Sequence, residues 1–180
     1  AQYRRKWFDN PKNHLVEGFP LHLDIESTNI CNLKCPYCAT TTDTWGKSPK
    51  GQMDFDLFKK IIDEGAAHGL YSIKCSFRGE PMLHKRLPEM VAYAKQKGIM
   101  DVYFNTNGTV FTEKNIRALI EAGLDRISVS IDGWDKESFE RNRVGARYEK
   151  VIEGIMLLKR IKDEMRTPFP QIRIQAVLLP

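Results

Sequence analysis

The sequence predicts an α/β fold, a partial TIM-like (β/α) barrel of parallel strands with outer helices. Two patterns predict it. Short segments with period-two alternation, typical of half-buried strands, follow one another along the chain, separated by amphipathic helical segments. Within these strand segments, polar side chains fall on one face and apolar side chains on the other. Alternation of strands and helices favours parallel strands joined by right-handed crossovers.

The elements follow in a regular order. Strands are predicted at residues 21–26, 72–78, 101–105, 126–131 and 171–177, and helices at residues 54–69, 88–97, 112–123 and 148–162. Asp54 and Thr112 are typical N-cap residues for the first and third of these helices. Gly69, Gly98 and Gly123 fall just past helix ends, where glycine is favoured.

The polar faces of the strands favour a barrel over a doubly wound sheet. A central parallel strand covered by helices on both sides is apolar on both faces. Here one face is polar and would line a ligand site, with Lys74, Ser76 and Arg78, then Asn105 and Asn107, then Ser128, Ser130 and Asp132, then Arg173 and Gln175. Ile73, Cys75 and Phe77 are predicted on the apolar face, with Cys75 as a core thiol. Sites on such barrels lie at the carboxyl ends of the strands.

Length and composition indicate one globular core. The 180 residues are 42% hydrophobic and 28% charged. We expect residues 1–20 to form an N-terminal arm, with residues 3–7 as a solvated tail, and residues 21–180 to form the core. The chain stops directly after the fifth predicted strand, and intact proteins normally cover such an edge. We therefore expect a barrel that is truncated after that strand, with its C-terminal part absent.

The sequence does not predict a membrane-bound, exported or nucleic-acid-binding protein. No apolar run approaches the length of a membrane span, and the N-terminus lacks the apolar stretch of a signal peptide. We therefore expect a cytoplasmic protein without a membrane partner. The net charge of +5 is spread along the chain without a nucleic-acid-binding motif, so a nucleic acid partner is not expected.

Three of the four cysteines, Cys31, Cys35 and Cys38, lie within eight residues with the spacing C-x3-C-x2-C. In a reducing cytosol such a cluster favours metal binding over disulfide formation. Structural zinc sites and ferredoxin-type clusters use four protein ligands. Three thiolates would leave one metal position open for chemistry. The alternative is a zinc site completed by His14, His22 or a segment outside this sequence.

Several motifs in the expected order carry a family resemblance. The loop CNLKCPYC resembles the C-x3-C-x-aromatic-C signature of radical S-adenosylmethionine (SAM) enzymes, with Tyr37 in the aromatic position. Arg78-Gly79-Glu80-Pro81 is similar to the family's Gly-Gly-Glu-Pro motif, with arginine in place of the first glycine. The family's T-N-G and S-x-S-x-D-G segments are matched at residues 106–108 and 128–133. The resemblance extends from about residue 21 to residue 177.

The resemblance implies the cofactors and the reaction. Three thiolates would hold a [4Fe-4S] cluster, and SAM would bind the fourth iron through its amino and carboxylate groups. The reduced cluster would cleave SAM to a 5′-deoxyadenosyl radical, which abstracts a hydrogen atom from a peptide, sugar or small metabolite. The electron would come from a one-electron reductant such as a flavodoxin- or ferredoxin-like protein.

The resemblance also implies site residues. Gly79 and Glu80 would lie along the methionine part of SAM, Ser130 would bond the ribose, and Asp132 would orient the strand end. Arg143 would reach the SAM carboxylate. Tyr37 would pack beside the adenine, with Val177 bordering it. Arg78 would either change the local turn or add a cation near that carboxylate.

Other readings remain open from sequence alone. Glu80 could cap a surface turn, Ser130 and Asp132 could only cap a strand end, and Asn105 and Asn107 could be ordinary turn residues before Gly108. The loop and the R-x-G-x-x-Y-E-K-V pattern look most like members with a C-terminal cysteine-rich domain, the SPASM type. The alternative function is a non-catalytic iron–sulfur or zinc protein that uses the cysteine loop for sensing or structure. Substrate-facing candidates at the mouth are Lys74, Ser76, Arg173 and Gln175.

Overall fold

A computed structural model describes residues 2–41, 47 and 49–177. Its centre is a sheet of five parallel strands in the order β1-β2-β3-β4-β5. The strands are β1 His22–Asp24, β2 Ser72–Lys74, β3 Asp101–Thr106, β4 Arg126–Ser130 and β5 Gln171–Gln175. The predicted parallel α/β fold is therefore confirmed. The predicted chain end at residues 178–180 lies outside the described residues.

The helices are α1 Gln2–Lys12, α2 Phe55–Ala67, α3 Leu87–Gln96, α4 Glu113–Glu121, α5 Lys136–Asn142 and α6 Tyr148–Glu164. Helices α2, α3, α4 and α6 pack on one face of the sheet. The Asp54 side chain caps α2 by accepting bonds from two backbone N–H groups, and Thr112 forms a capping box with Asn115 at α4. Both predicted N-caps are confirmed.

The apolar core lies between the sheet and these helices. It contains Ile73, Val102, Phe104 and Ile127 from the strands, and Phe58, Ile62, Met90, Val91, Ile116, Leu119, Leu158 and Ile161 from the helices. Cys75 is fully buried among them, and burial raises the pKa of its thiol to about 12. The prediction of a core thiol is confirmed.

The opposite face of the sheet is polar. Because neighbouring strands are paired in register, its polar side chains form rows across the sheet. Asn105 pairs with Ser128, and Ser128 pairs with Arg173. In the next row Ser130 pairs with Gln175. The backbone N–H of Asn105 donates to Ser76 Oγ at 3.0 Å and extends the first row to the loop after β2. The row of Ser130 and Gln175 lies at the carboxyl ends of β4 and β5.

Two predictions about local structure are wrong. The second strand ends at Lys74 rather than continuing to residue 78, and Phe77 is 67% exposed instead of lying on the apolar face. The arm is also not a solvated tail. It contains α1, where Tyr3 is buried and its ring stacks on Tyr71 at 5.4 Å. The spacing of Tyr3 and Trp7, four residues apart, was the available signal.

No helix within the described residues is long and apolar enough to cross a membrane.

Candidate active site

A cavity of about 200 Å³ lies at the carboxyl ends of the strands. Cys31, Cys35 and Cys38 all line it, so the structure brings the three cysteines to one place. The cavity is also lined by Leu33, Thr40, Lys74, Ser76, Phe77, Gly79, Glu80, Asn105, Thr106, Asn107, Ser130 and Arg143. Three predicted site residues do not line it: Tyr37, Asp132 and Val177. Of the four substrate-facing candidates, Lys74 and Ser76 line the cavity, whereas Arg173 and Gln175 do not.

The cysteine loop is held by its own turn and by a distant segment. The Cys38 N–H donates to the Cys35 carbonyl at 3.0 Å, which closes a turn around Pro36 and Tyr37. The Lys34 N–H donates to the Val144 carbonyl at 2.9 Å. Leu33 and Cys35 are buried in a small apolar cluster with Val129, Phe139, Ala146 and Val151. The loop is therefore anchored to the region after β4.

Polar groups surround the cysteine sulfurs. Cys31 Sγ accepts from the Leu33 N–H at 3.5 Å and from Asn107 Nδ2 at 3.9 Å. Cys38 Sγ lies 3.1 Å from Thr40 Oγ1. Burial raises the pKa of Cys31 and of Cys35 above the ordinary thiol value. Metal binding at these thiols would therefore release protons.

The turn after β2 requires glycine at position 79. Gly79 has φ +64°, and a Cβ there would lie 2.4 Å from the Thr28 carbonyl oxygen and 2.8 Å from that of Ile30. The next residue, Glu80, donates its backbone N–H to the same Ile30 carbonyl at 2.8 Å. The turn therefore packs backbone to backbone against the segment that leads into the cysteine loop.

Glu80 is buried at the base of this turn, so the reading as a surface turn residue is wrong. Its side chain is only 1% exposed. Oε1 accepts from Met82 N at 3.0 Å and from Thr106 Oγ1 at 2.8 Å, and Oε2 accepts from Asn107 N at 2.7 Å. Burial raises the pKa of Glu80 despite these donors. Oε2 can accept one further hydrogen bond.

Asp132 joins the ends of three segments and is 1% exposed. Its Oδ2 atom accepts from the Tyr37 hydroxyl at 2.7 Å and from Arg143 Nε at 2.7 Å. Its Oδ1 atom accepts from the Val177 N–H at 2.8 Å. Burial raises the pKa of Tyr37, and its bond to Asp132 adds to that shift. Asp132 thus positions Arg143 at the cavity wall.

Arg78, which replaces the first glycine of the motif, turns toward Glu26. Its Nε and Nη2 atoms donate to Glu26 Oε1 and Oε2 at 2.7 and 2.6 Å. Arg78 is not among the residues that line the cavity. The structure therefore does not support the reading of Arg78 as an added cation near the SAM carboxylate.

The donor set fits a cluster better than a single ion. Within the described residues, no three His, Cys, Asp or Glu side chains converge closely enough to hold one metal ion. The three thiols instead surround a common cavity. His22 is not available as a fourth zinc ligand, because its ring bonds Ser72 and Asp24 within the sheet. Neither His14 nor His22 lines the cavity.

Sequence reasoning missed part of this site. Asn107 is more than an ordinary turn residue, because it is 5% exposed and bonds Cys31 Sγ, Asn32 Oδ1 and Thr109. Thr106 was matched only as part of a motif, and its hydroxyl bonds Glu80. Their positions directly after a predicted strand were the available signal.

Comparison with known proteins decides the family. The sequence profile of the Radical SAM superfamily matches residues 25–167. The chain belongs to this superfamily. Members of the radical SAM superfamily use a [4Fe-4S] cluster and S-adenosylmethionine, and the alternative of a non-catalytic metal protein is not favoured.

Individual relatives of this radical SAM chain agree. A probable GTP 3′,8-cyclase of Methanococcus maripaludis is 38% identical over 133 residues, which cover 73% of this chain and 43% of that protein. The crystal structure of Streptococcus suis SuiB bound to its precursor peptide SuiA matches with a TM-score of 0.74 and 19% identity, over 99% of this chain and 38% of that one. BtrN in complex with AdoMet and 2-DOIA matches with a TM-score of 0.66 and 22% identity, over 89% and 58% of the two chains.

These structural matches confirm the predicted partial barrel. The chain spans about 43% of the length of the curated relative.

Proposed function

We propose that this chain holds a [4Fe-4S] cluster through Cys31, Cys35 and Cys38, with S-adenosylmethionine on the open iron, and that the protein is a radical SAM enzyme. One observation carries the proposal. The three cysteines line the same cavity as the Gly79–Glu80 turn, Ser130 and Arg143, although these residues come from separate parts of the chain. Thiolates are the protein ligands that iron–sulfur clusters use.

When bound, the cluster and SAM would supply the radical chemistry, in which one-electron cleavage of SAM leads to removal of a hydrogen atom from the substrate. The protein's part is binding and orientation. Glu80 lines the cavity that the SAM ammonium would enter, and its Oε2 atom has acceptor capacity beyond the bond from Asn107 N that this ammonium could use. The guanidinium of Arg143, held by Asp132, supplies a cation for the SAM carboxylate.

Three further residues would contact the nucleoside. Ser130 lies at the end of β4 on the cavity wall, where its hydroxyl can bond the ribose. Tyr37 is 40% exposed beside the cavity, where its ring can pack on the adenine while its hydroxyl stays bonded to Asp132. Val177 bonds Asp132 through its backbone and can border the same ring.

The electron would come from a flavodoxin- or ferredoxin-like carrier, because radical SAM enzymes need an external reductant. A low-potential carrier and an oxygen-sensitive cluster suit a cytoplasmic location.

Two relatives each suggest a substrate class for this protein. The name of the M. maripaludis relative makes GTP one candidate, and the peptide-bound SuiB fold makes a peptide another. The SPASM assignment predicts auxiliary clusters. Iron content of the reconstituted full-length protein tests it, since iron for only one cluster per chain would rule it out.

The ligand assignment is tested by single cysteine variants. We expect Cys31→Ala, Cys35→Ala and Cys38→Ala each to lose cluster iron after anaerobic reconstitution, and to lose SAM cleavage to 5′-deoxyadenosine with dithionite. Cys75→Ala is the matched control, because that thiol is buried in the core away from the cavity. A colourless parent protein with one tightly bound zinc ion would overturn the proposal.

A further inference from the structure

A second cavity adjoins the cysteine loop. It has a volume of about 410 Å³ and shares Cys31, Leu33 and Thr40 with the candidate active site. None of the residues of the strands lines it, and its other wall includes Lys34 and Lys50. The cysteine loop therefore borders both the candidate active site and a depression that exposed lysines line.

This depression is positively charged. Lys34 and Lys50 are both exposed, and neither forms an ion pair with a carboxylate of the described residues. No described residue that lines the depression carries a carboxylate. The carboxylate of Glu26, which lies near Lys50, is engaged by Arg78. Among the described residues, no carboxylate therefore neutralises these two ammonium groups, and an anionic partner would complement their charge.

The depression also leads to the cysteine ligands. Cys31 lines both cavities. Thr40 lines both as well, and its hydroxyl lies 3.1 Å from Cys38 Sγ. In the proposed function, SAM and substrate fill the interior cavity, so a protein that delivers electrons has to approach from outside the barrel.

We propose that the depression bearing Lys34 and Lys50 is the docking surface for an acidic one-electron carrier protein, which reduces the cluster through the Cys31 and Cys38 side of the loop. The inference rests on the proposed function. Complementary charge accelerates encounter between proteins by about 10- to 1,000-fold at low ionic strength, and salt removes the effect.

The test compares protein and chemical reductants on the reconstituted full-length enzyme. The variant is Lys34→Glu/Lys50→Glu, and the control is Lys60→Glu/Lys114→Glu, which makes the same charge change at exposed positions on α2 and α4. Cluster reduction is followed by stopped flow with an acidic flavodoxin and with an acidic ferredoxin. SAM cleavage driven by dithionite is measured in parallel, together with iron content.

We expect the Lys34/Lys50 variant to be reduced at least about tenfold more slowly by both carriers at low salt, with the difference shrinking at high salt. Iron content and dithionite-driven cleavage of the single variant Lys50→Glu, which lies outside the cysteine loop, should match the parent. The rate at which both carriers reduce Lys50→Glu alone, which leaves the cysteine loop untouched, should fall several-fold. Equal rates in the variant and the control would overturn the docking surface. A parent enzyme that fails to cleave SAM with dithionite would instead overturn the proposed function.

Discussion

Asp132 offers the sharpest test of how the site is held together. Replacing it by asparagine, Asp132→Asn, keeps the shape but removes the charge and turns one oxygen into a donor. In the unsubstituted protein, the Asp132 carboxylate accepts from the Tyr37 hydroxyl and Arg143 Nε at Oδ2 and from the Val177 N–H at Oδ1. An amide has only one oxygen, so it cannot face the donors on both sides. At least one donor is left unpaired in either orientation.

The magnitude follows from burial. An unsatisfied buried donor costs about 1–3 kcal/mol, and a buried charge that loses its partner costs about 3–5 kcal/mol. The Arg143 side chain keeps 15% of its surface in water, which offsets part of the second cost. We therefore expect Asp132→Asn to lower the free energy of unfolding by about 3 kcal/mol.

Urea unfolding of the metal-free protein, followed by circular dichroism, measures this loss. The matched control is Asp163→Asn, which breaks the exposed pair with Lys159 and should change stability by less than about 0.5 kcal/mol. A loss below about 1 kcal/mol for Asp132→Asn, with the slope against urea unchanged, would refute the view of Asp132 as a buried junction.

Three other changes test separate contacts. Gly79→Ala should lower the free energy of unfolding by at least about 2 kcal/mol, because the added Cβ would clash with backbone carbonyls. Gly69→Ala, at φ +77° with open space around it, should lower it by about 1 kcal/mol in the same urea assay. Equal losses for the two variants would contradict the clash. Arg78 holds the pKa of Glu26 below its ordinary value of 4.5, so this stabilisation is present above that pH and is lost as pH falls through the lower folded value. Glu26→Gln should therefore flatten the fall in stability on acidification, and a parallel pH profile would argue against the pair. Asn107→Ala should shift the cluster's reduction potential to more negative values in a spectroelectrochemical titration, since a donor to the Cys31 sulfur is lost; an unchanged potential would deny that bond a role.

The sheet and the position of the site were predictable from local patterns. The alternation in residues 101–105 and 126–131 placed Asn105 and Ser130 on the polar face, and both line the cavity. Gly79 was predicted at the site through its motif. Such features depend on the spacing of neighbours in sequence, which one chain displays directly.

Other features depend on partners far away in sequence. Glu80 is buried because Thr106 and Asn107 donate to it from the next strand, which no local pattern reveals. The partner of Arg78 is Glu26, which precedes the cysteine loop and lies 52 residues away in sequence. Helix α5 was not predicted, although its start has a local signal in the sequence: Asp135 and Ser138 form a capping box there.

The bond from the Lys34 N–H to the Val144 carbonyl also bears on the order of events during synthesis. The cysteines emerge from the ribosome before Val144, whose segment holds their loop in shape and follows all of the first four strands. Contacts between such distant segments form late, because long loops have to close first. Cluster assembly would therefore follow folding of the barrel, and the nascent protein would carry three uncommitted thiols until Val144 is in place.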